Sequence, residues 1–258
     1  MITQIQTFKN YKDLLWEFVK KDIKLKYRNS VLGIIWSMLN PLLIMVVLTF
    51  IFSNLFKNKI SNFPVYCLSG RLIYDFFSQS TNQSMNSITG KSSLIKKIYV
   101  PKYLYPLSRV ISSFIIFLIS LIPLLIIMVV MKVQFTKMTL LVFYPLGCLF
   151  FVSLGIGLVL ATINVFFRDM QHLYSVVLLI IMYGSAIFYS VDIINGEYVS
   201  ILNLNPIFPI IQVFRDCILY GRVTTTEVWI LSAVYGILAT IVGLIVFYKK
   251  QDKFILHI

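Results

Sequence analysis

The sequence predicts an all-α integral membrane protein: six transmembrane helices, an amino-terminal amphipathic helix lying in the membrane interface, and a re-entrant loop on the outer side. Three observations predict it. Hydrophobic residues fill 59% of the 258 positions and charged residues only 13%, with mean hydropathy +0.86. A soluble domain of this size cannot hide that much apolar surface, so a bilayer has to be the solvent for most of it. Apolar runs of spanning length recur along the chain, and Lys and Arg gather in the segments between alternate runs. The net charge of +13 is explained by basic cytoplasmic loops, with no need of nucleic acid as a partner.

Six spans of about 20 residues use roughly 120 positions and leave short loops only. The predicted organisation is therefore a cytoplasmic amino-terminal segment at 1–30, one membrane domain at 31–248 and a cytoplasmic tail at 249–258. The first 30 residues hold no signal-peptide core, so the basic amino end is expected to stay in the cytoplasm. Cys67, Cys148 and Cys217 stand apart in apolar surroundings, without a paired framework, and read as core-filling residues.

The first element is "YKDLLWEFVKKDIKLKYR". At helical spacing Asp13, Glu17, Lys20, Lys21, Lys24 and Arg28 form one stripe. Leu14, Leu15, Phe18 and Leu25 face the other way, with Trp16 and Tyr27 at the margin. That pattern suits a helix in the interface whose lysines reach headgroups or a partner; a plain preamble anchoring the first span is the alternative.

Hydropathy then marks spans at 31–56 (with an internal Asn40-Pro41), 104–131, 138–167 and 230–248, and a slightly short one at 173–191. Five spans leave a conflict. The loop carrying Lys91, Lys96, Lys97 and Lys102 should be cytoplasmic like the amino end, yet only one clear span separates the two. A further crossing must lie between residues 60 and 90. There, "GRLIYDFFSQSTNQSMNS" places Arg71, Asp75, Ser78, Gln79, Asn82 and Asn86 on one arc, with Leu72, Ile73, Tyr74, Phe76 and Phe77 outside it. Such a helix crosses a bilayer if the arc faces protein or a water-filled path. Arg71 and Asp75, one turn apart, can pair there. The count becomes six with both ends inside, and 16 Lys and Arg fall on the inner side against six outside and Arg71 within.

The longest outer segment, 192–229, contains "NPIFPIIQVFRDCILYG". Its apolar stretch from 207 to 219 is too short to span, so short helices dipping back from the outer face are the expected form, an ordinary surface loop being the alternative. Ser153, Gly157 and Ala161 give the fourth span a small-residue face suited to close helix packing.

Chemistry is sparse. "ITGKSS" at 88–93 ends like a nucleotide-binding P-loop, but Met85 stands where that motif needs its first glycine, and the lead-in is no buried strand. His172 and His257 lack metal-ligand spacing with other donors. Asp75 is the single carboxylate well inside a span, and its Arg71 neighbour favours an ion pair over a proton relay. The 15% aromatic content supplies lipid contact and interfacial belts by default. Tyrosines beside an Arg-Asp-Asn-Gln arc also match what a sugar needs, rings for C–H faces and polar groups at their edges; Tyr74 joins the arc as a candidate substrate-path residue on that ground.

"KKDIKLKYRNSVLGIIWSMLNPL", "SLIKKIYVPKYLYPLS", "NVFFRDMQHL", "IFY" and "NPIFPIIQVFRD", in that order along nearly the whole chain, resemble the ABC-2 type polysaccharide export permeases. The resemblance implies a homodimer of six-span subunits in the cytoplasmic (inner) membrane, joined by two copies of a separate ATPase subunit. ATP and Mg would sit on that partner, with no cofactor or metal in this chain. It implies that Ser92, Ser93, Leu94, Ile95, Lys96, Lys97, Tyr99 and Pro101 form the segment that docks the ATPase. Glu17, Lys20, Lys21, Lys24 and Arg28 of the interface helix would flank it. Arg168-Asp169 match the family's cytoplasmic motif, a helix-end cap being the alternative. The chain departs from the family pattern at Ser185-Ala186, where Ser-Pro is expected. The function implied is export of a lipid-linked polysaccharide of O-antigen, capsule or teichoic-acid type. An ABC-2 exporter of a drug or lipid, a polytopic enzyme acting on lipid-linked sugars, and a membrane scaffold are the rival readings.

Overall fold

The computed structural model describes residues 10–54, 60, 62–97, 100–191 and 196–257, and among these every regular element is helical. In chain order they are α1 (Lys12–Tyr27), α2 (Ile35–Asn54), α3 (Phe63–Met85), α4 (Ser92–Ile95), α5 (Leu104–Val130), α6 (Phe143–Phe166), α7 (Met170–Tyr183), α8 (Gly196–Leu202), α9 (Ile207–Arg215), α10 (Thr226–Lys250) and α11 (Phe254–His257). A 3₁₀ turn, Lys137–Val142, leads into α6, and a π turn, Asp216–Tyr220, continues α9.

Among the described residues, four stretches are long and apolar enough to cross a membrane: Ile35–Phe52, Leu104–Val130, Lys137–Phe166 and Thr226–His257. They match four of the five hydropathy spans. The fifth, expected at 173–191, is helical only over Met170–Tyr183. At 1.5 Å per residue its 14 residues reach about 21 Å, short of a hydrocarbon core of about 30 Å. The helix ends at its C-cap Gly184, and the turn that follows takes Ala186 to φ +48°. Proline, locked near −65°, cannot take that conformation, so this turn is made by the residue that departs from the family pattern.

The polar segment forms α3, an unbroken helix of 23 residues at the centre of the bundle, against α2, α5, α6 and α9. Its entry is set by Asn62 in the left-handed region and Pro64 in the first turn, where a missing N–H has no consequence. The small-residue face on α6 packs as expected. Ser153 and Ala161 are fully buried, and a Cβ on Gly157 would lie 3.0 Å from Ser84 of α3. Gly155 and Gly243 bring α6 and α10 closer still, backbone against backbone, leaving no room for any side chain at either position.

Two apolar clusters result. The larger fills the middle of the bundle around α3. A smaller one, with Ile88, Ile95, Tyr105, Leu158, Val165, Phe247 and Phe254, closes one end. That end gathers α1, the loop after α3, the end of α6 and the tail: Phe18 stacks on Tyr105 at 5.5 Å, and Lys102 Nζ donates to the Gln251 carbonyl at 2.7 Å. The three cysteines are buried and free, as core-filling residues should be.

Candidate functional site

The arc on α3 is the open side of a helix whose other sides are packed. Arg71, Asp75, Ser78 and Asn86 are half-buried and Gln79 and Asn82 exposed, while Leu72, Ile73, Phe76 and Phe77 are buried. Arg71 Nε stands 2.9 Å from Asp75 Oδ1 and donates to Oδ2 at 3.0 Å, so the pair predicted from its spacing forms and neutralises itself. Tyr74 lies away from the arc. It is buried, and its hydroxyl donates to the Leu178 carbonyl of α7 at 3.0 Å, although the Arg71 guanidinium sits 5.6 Å over its ring. Tyr174 makes the companion tie from α7 to Thr81 at 2.6 Å.

Two cavities open on the arc. One, of about 470 Å³, lies between α2, α3 and α5 below the end of α1, lined by Lys26, Trp36, Asn40, Asp75, Gln79 and Ser120 among others. The second, of about 380 Å³, is lined by Gln79, Asn82, Gln83, Asn86 and Arg109. Lys26 Nζ donates to Gln79 Oε1 at 2.9 Å between them. The chemistry on offer is non-covalent: a row of carboxamides and hydroxyls that donate and accept, with a self-compensated ion pair toward one end. No group of His, Cys, Asp or Glu among the described residues could hold a metal ion.

At the closed end, the "GKSS" segment is a 3₁₀ turn, Thr89–Lys91, running into α4, and it follows a helix where a P-loop follows a strand. Ser93, Lys96 and Lys97 are exposed, Ser92, Leu94 and Lys91 half-buried, and Ile95 is buried in the small cluster and anchors the loop. Pro101 is half-buried where the chain enters α5, and Tyr99 lies outside the described residues. On α1 Glu17, Lys20, Lys21 and Lys24 are exposed, as is Arg28 just past its end, with Lys20 and Glu17 paired at 2.9 Å. The packed face is Leu15, Val19 and Asp22, joined by Phe18. Leu25, which the periodicity groups with Leu15 and Phe18 on the apolar side of an interface helix, is 53% exposed. Arg168 and Asp169 are exposed at the start of α7, and Asp169 makes no side-chain cap.

Three groupings escaped the sequence reading. Asp22 is buried, with Arg109 Nη1 at 3.2 Å and Lys91 Nζ at 3.9 Å from its Oδ1. Burial draws the Lys91 ammonium below the ordinary lysine range, and the Asp22 carboxylate opposes that pull. Asn164 of α6, fully buried, donates to the Met85 carbonyl at 3.0 Å and fixes the end of α3. Arg215, in the segment that topology assigns to the outer side, is fully buried: it donates to the Ala186 and Tyr66 carbonyls at 3.0 and 3.1 Å, its guanidinium 3.4 Å from the Tyr66 ring centre. Lone polar residues inside apolar runs were the available signal for Asn164 and Arg215; Asp22 lay hidden among lysines in "KKDIK".

The family model for ABC-2 type transporters matches residues 13–219. The chain belongs to the ABC-2 type transporter family. Among curated proteins, this ABC-2 chain is 30% identical to the O-antigen export system permease protein RfbA of Klebsiella pneumoniae, over 94% of its length and 93% of the relative's. It is 27% identical to the protein of that name from Myxococcus xanthus, over 98% of each chain. With the polysialic acid transport protein KpsM of Escherichia coli it shares 22% identity over 90% of its own length and 91% of that protein's. The ABC-2 match spans α1 from Asp13, the α3 arc, the α4 loop and α9, and leaves α10 and the tail outside it.

Proposed function

We infer that this chain is the transmembrane permease subunit of an ATP-driven exporter that moves a lipid-linked polysaccharide of O-antigen, capsule or teichoic-acid type across the cytoplasmic membrane. The observation that carries the reading is the near-full-length match to an O-antigen export permease, covering 94% of the chain. The arc on α3 supports it: carboxamides and hydroxyls beside two open cavities suit passage of a hydroxyl-rich chain, and Arg71 and Asp75 on the arc compensate each other.

The finer architecture belongs to the same reading. Four apolar spans, the polar α3 and the short α7 together make six crossings, with α8 and α9 as a re-entrant pair on the outer side. Residues 1–30 and 249–258 are cytoplasmic and flank one membrane domain at 31–248. The gathering of α1, the α4 loop, the end of α6 and the tail at one end of the bundle supports both termini on one side. The subunit works as a homodimer with two ATPase subunits that carry ATP and Mg, docked through Ser93, Lys96 and Lys97 with the exposed stripe of α1 alongside. Arg168 and Asp169, on the same end and free of intramolecular ion pairs among the described residues, extend that docking face.

Purified alone, the chain is expected to bind and hydrolyse no ATP, and Lys91→Ala is expected to leave that unchanged. Recovered from its own membranes with its partners, it is expected to bring an ABC ATPase with it, and Lys96→Glu with Lys97→Glu to reduce that recovery. ATP turnover by the chain free of any P-loop protein would falsify the division of labour.

A further inference from the structure

We propose that Asp22 is the positioning residue that makes the docking loop, the interface helix and α5 move as one body, so that export depends on its charge even where ATPase docking does not. The inference rests on the permease reading above and adds a specific residue to it.

The loop between α3 and α5 is held at both of its ends by one carboxylate. Lys91 stands immediately before α4, at the loop's entrance, and Arg109 stands in the second turn of α5, past its exit. Both cations converge on Oδ1 of Asp22, at 3.9 and 3.2 Å, and Asp22 belongs to a third element, α1. The same three elements meet again beside it. Lys91 Nζ lies 4.5 Å from the Phe18 ring of α1 and 5.5 Å from the Tyr105 ring of α5, and those two rings stack on each other. A push on the exposed Lys96–Lys97 corner therefore reaches α1 and α5 through a common point, and α5 lies against α3 and its arc.

A structural role alone explains this arrangement poorly. The Asp22 side chain is 3% exposed, and Asp22 Oδ2, Lys91 Nζ and Arg109 Nε are buried with no hydrogen-bond partner among the described residues. Such a cluster stabilises a fold less than well-packed apolar side chains of similar volume. What a charged cluster supplies that apolar contact does not is register: Leu and Met surfaces slide past one another, whereas two cations on one carboxylate define a single alignment. An element that transmits motion needs that alignment more than it needs the last increment of stability.

The test compares wild type, Asp22→Asn and a triple apolar variant, Asp22→Leu with Lys91→Met and Arg109→Met, each isolated from membranes with its ATPase and reconstituted with the native glycolipid. Measured are ATPase recovery, ATP turnover, polymer translocated per ATP, and thermal unfolding. Asp22→Asn is expected to keep ATPase recovery and turnover within about twofold while polymer per ATP falls about tenfold. The triple variant, if Asn alone destabilises, is expected to unfold no earlier than wild type and still to be uncoupled. Polymer per ATP within twofold of wild type in the folded triple variant overturns the proposal and leaves the cluster structural. Absence of ATPase or of translocation in the wild-type preparation overturns the permease reading instead, so the two failures are distinct.

Discussion

Helices α2 and α3 are neighbours in sequence and opposites in composition. Among the described helices, α2 is almost purely apolar, yet only 11% of its stretch from Ile35 to Phe52 is buried inside the protein, with Leu43, Val46, Val47 and Phe50 more than half exposed. In α3, with Arg71, Asp75 and a series of Ser, Gln and Asn, the apolar and small residues from Val65 to Met85 are sealed on three sides. In water the two would exchange places. In a bilayer, hydropathy measures contact with lipid, and a helix too polar for lipid must be enclosed by other helices. The most polar of the long helices is the one around which the others pack.

The largest expected effect comes from crowding the sealed side of α3. Gly70→Val drives a side chain to within 2.8 Å of Arg215 Nη2, displacing a fully buried guanidinium from both its carbonyls. A loss of about 3–5 kcal/mol is expected, read as early thermal unfolding in detergent. Gly147→Val, with nothing within 4 Å of its Cβ, serves as the control and should shift stability by no more than about 0.5 kcal/mol.

Next, exchange the surfaces. Val46→Arg on α2 is expected to cost about 2.5–3.5 kcal/mol of membrane insertion, seen as a falling fraction of membrane-integrated protein. Asn82→Arg on α3 should integrate like wild type. Equal losses would remove the distinction between a lipid-facing α2 and a water-accessible arc.

Labelling resolves the faces of α3 one residue at a time. The native cysteines are buried, so background reaction with a small water-soluble thiol reagent is low. Cysteines replacing Gln79 and Asn82 should react fastest, those at Ser78 and Asn86 more slowly, and those at Ile73, Phe76 and Phe77 not at all before unfolding. Bulky adducts on the arc are expected to block export; unimpeded export by the fully labelled Asn82→Cys variant would take the arc out of the substrate path. The smallest effect belongs to Lys26→Met, which removes the 2.9 Å bond from α1 to Gln79 while keeping the apolar stem. It should lower stability by about 1 kcal/mol.

Much of this was legible beforehand, and the limits follow from the range of the forces involved. Helical periodicity put Arg71 and Asp75 one turn apart and gathered the carboxamides on one arc, because both are properties of a single helix. The same periodicity grouped Leu25 with Leu15 and Phe18 on the apolar side of α1 but gave no sign that Asp22 is buried, since which part of an amphipathic helix meets α5 depends on α5. Tyr74 was grouped with the arc for its chemistry, and its hydroxyl belongs to α7.

By itself, then, the sequence determined the solvent of this protein, the helices, the polar arc and the family, through composition, period-3.6 spacing and motif order, all of which are written along the chain. The tertiary structure alone decided that Lys91 of a P-loop-like "GKS" faces Asp22 and Arg109, that Arg215 lies inside the bundle on the Tyr66 ring, and that Ala186 turns left-handed beneath it. Each of these joins residues tens of positions apart or more. A buried charge takes its energy from neighbours that only folding brings near, so its place cannot be read from the residues beside it in the chain.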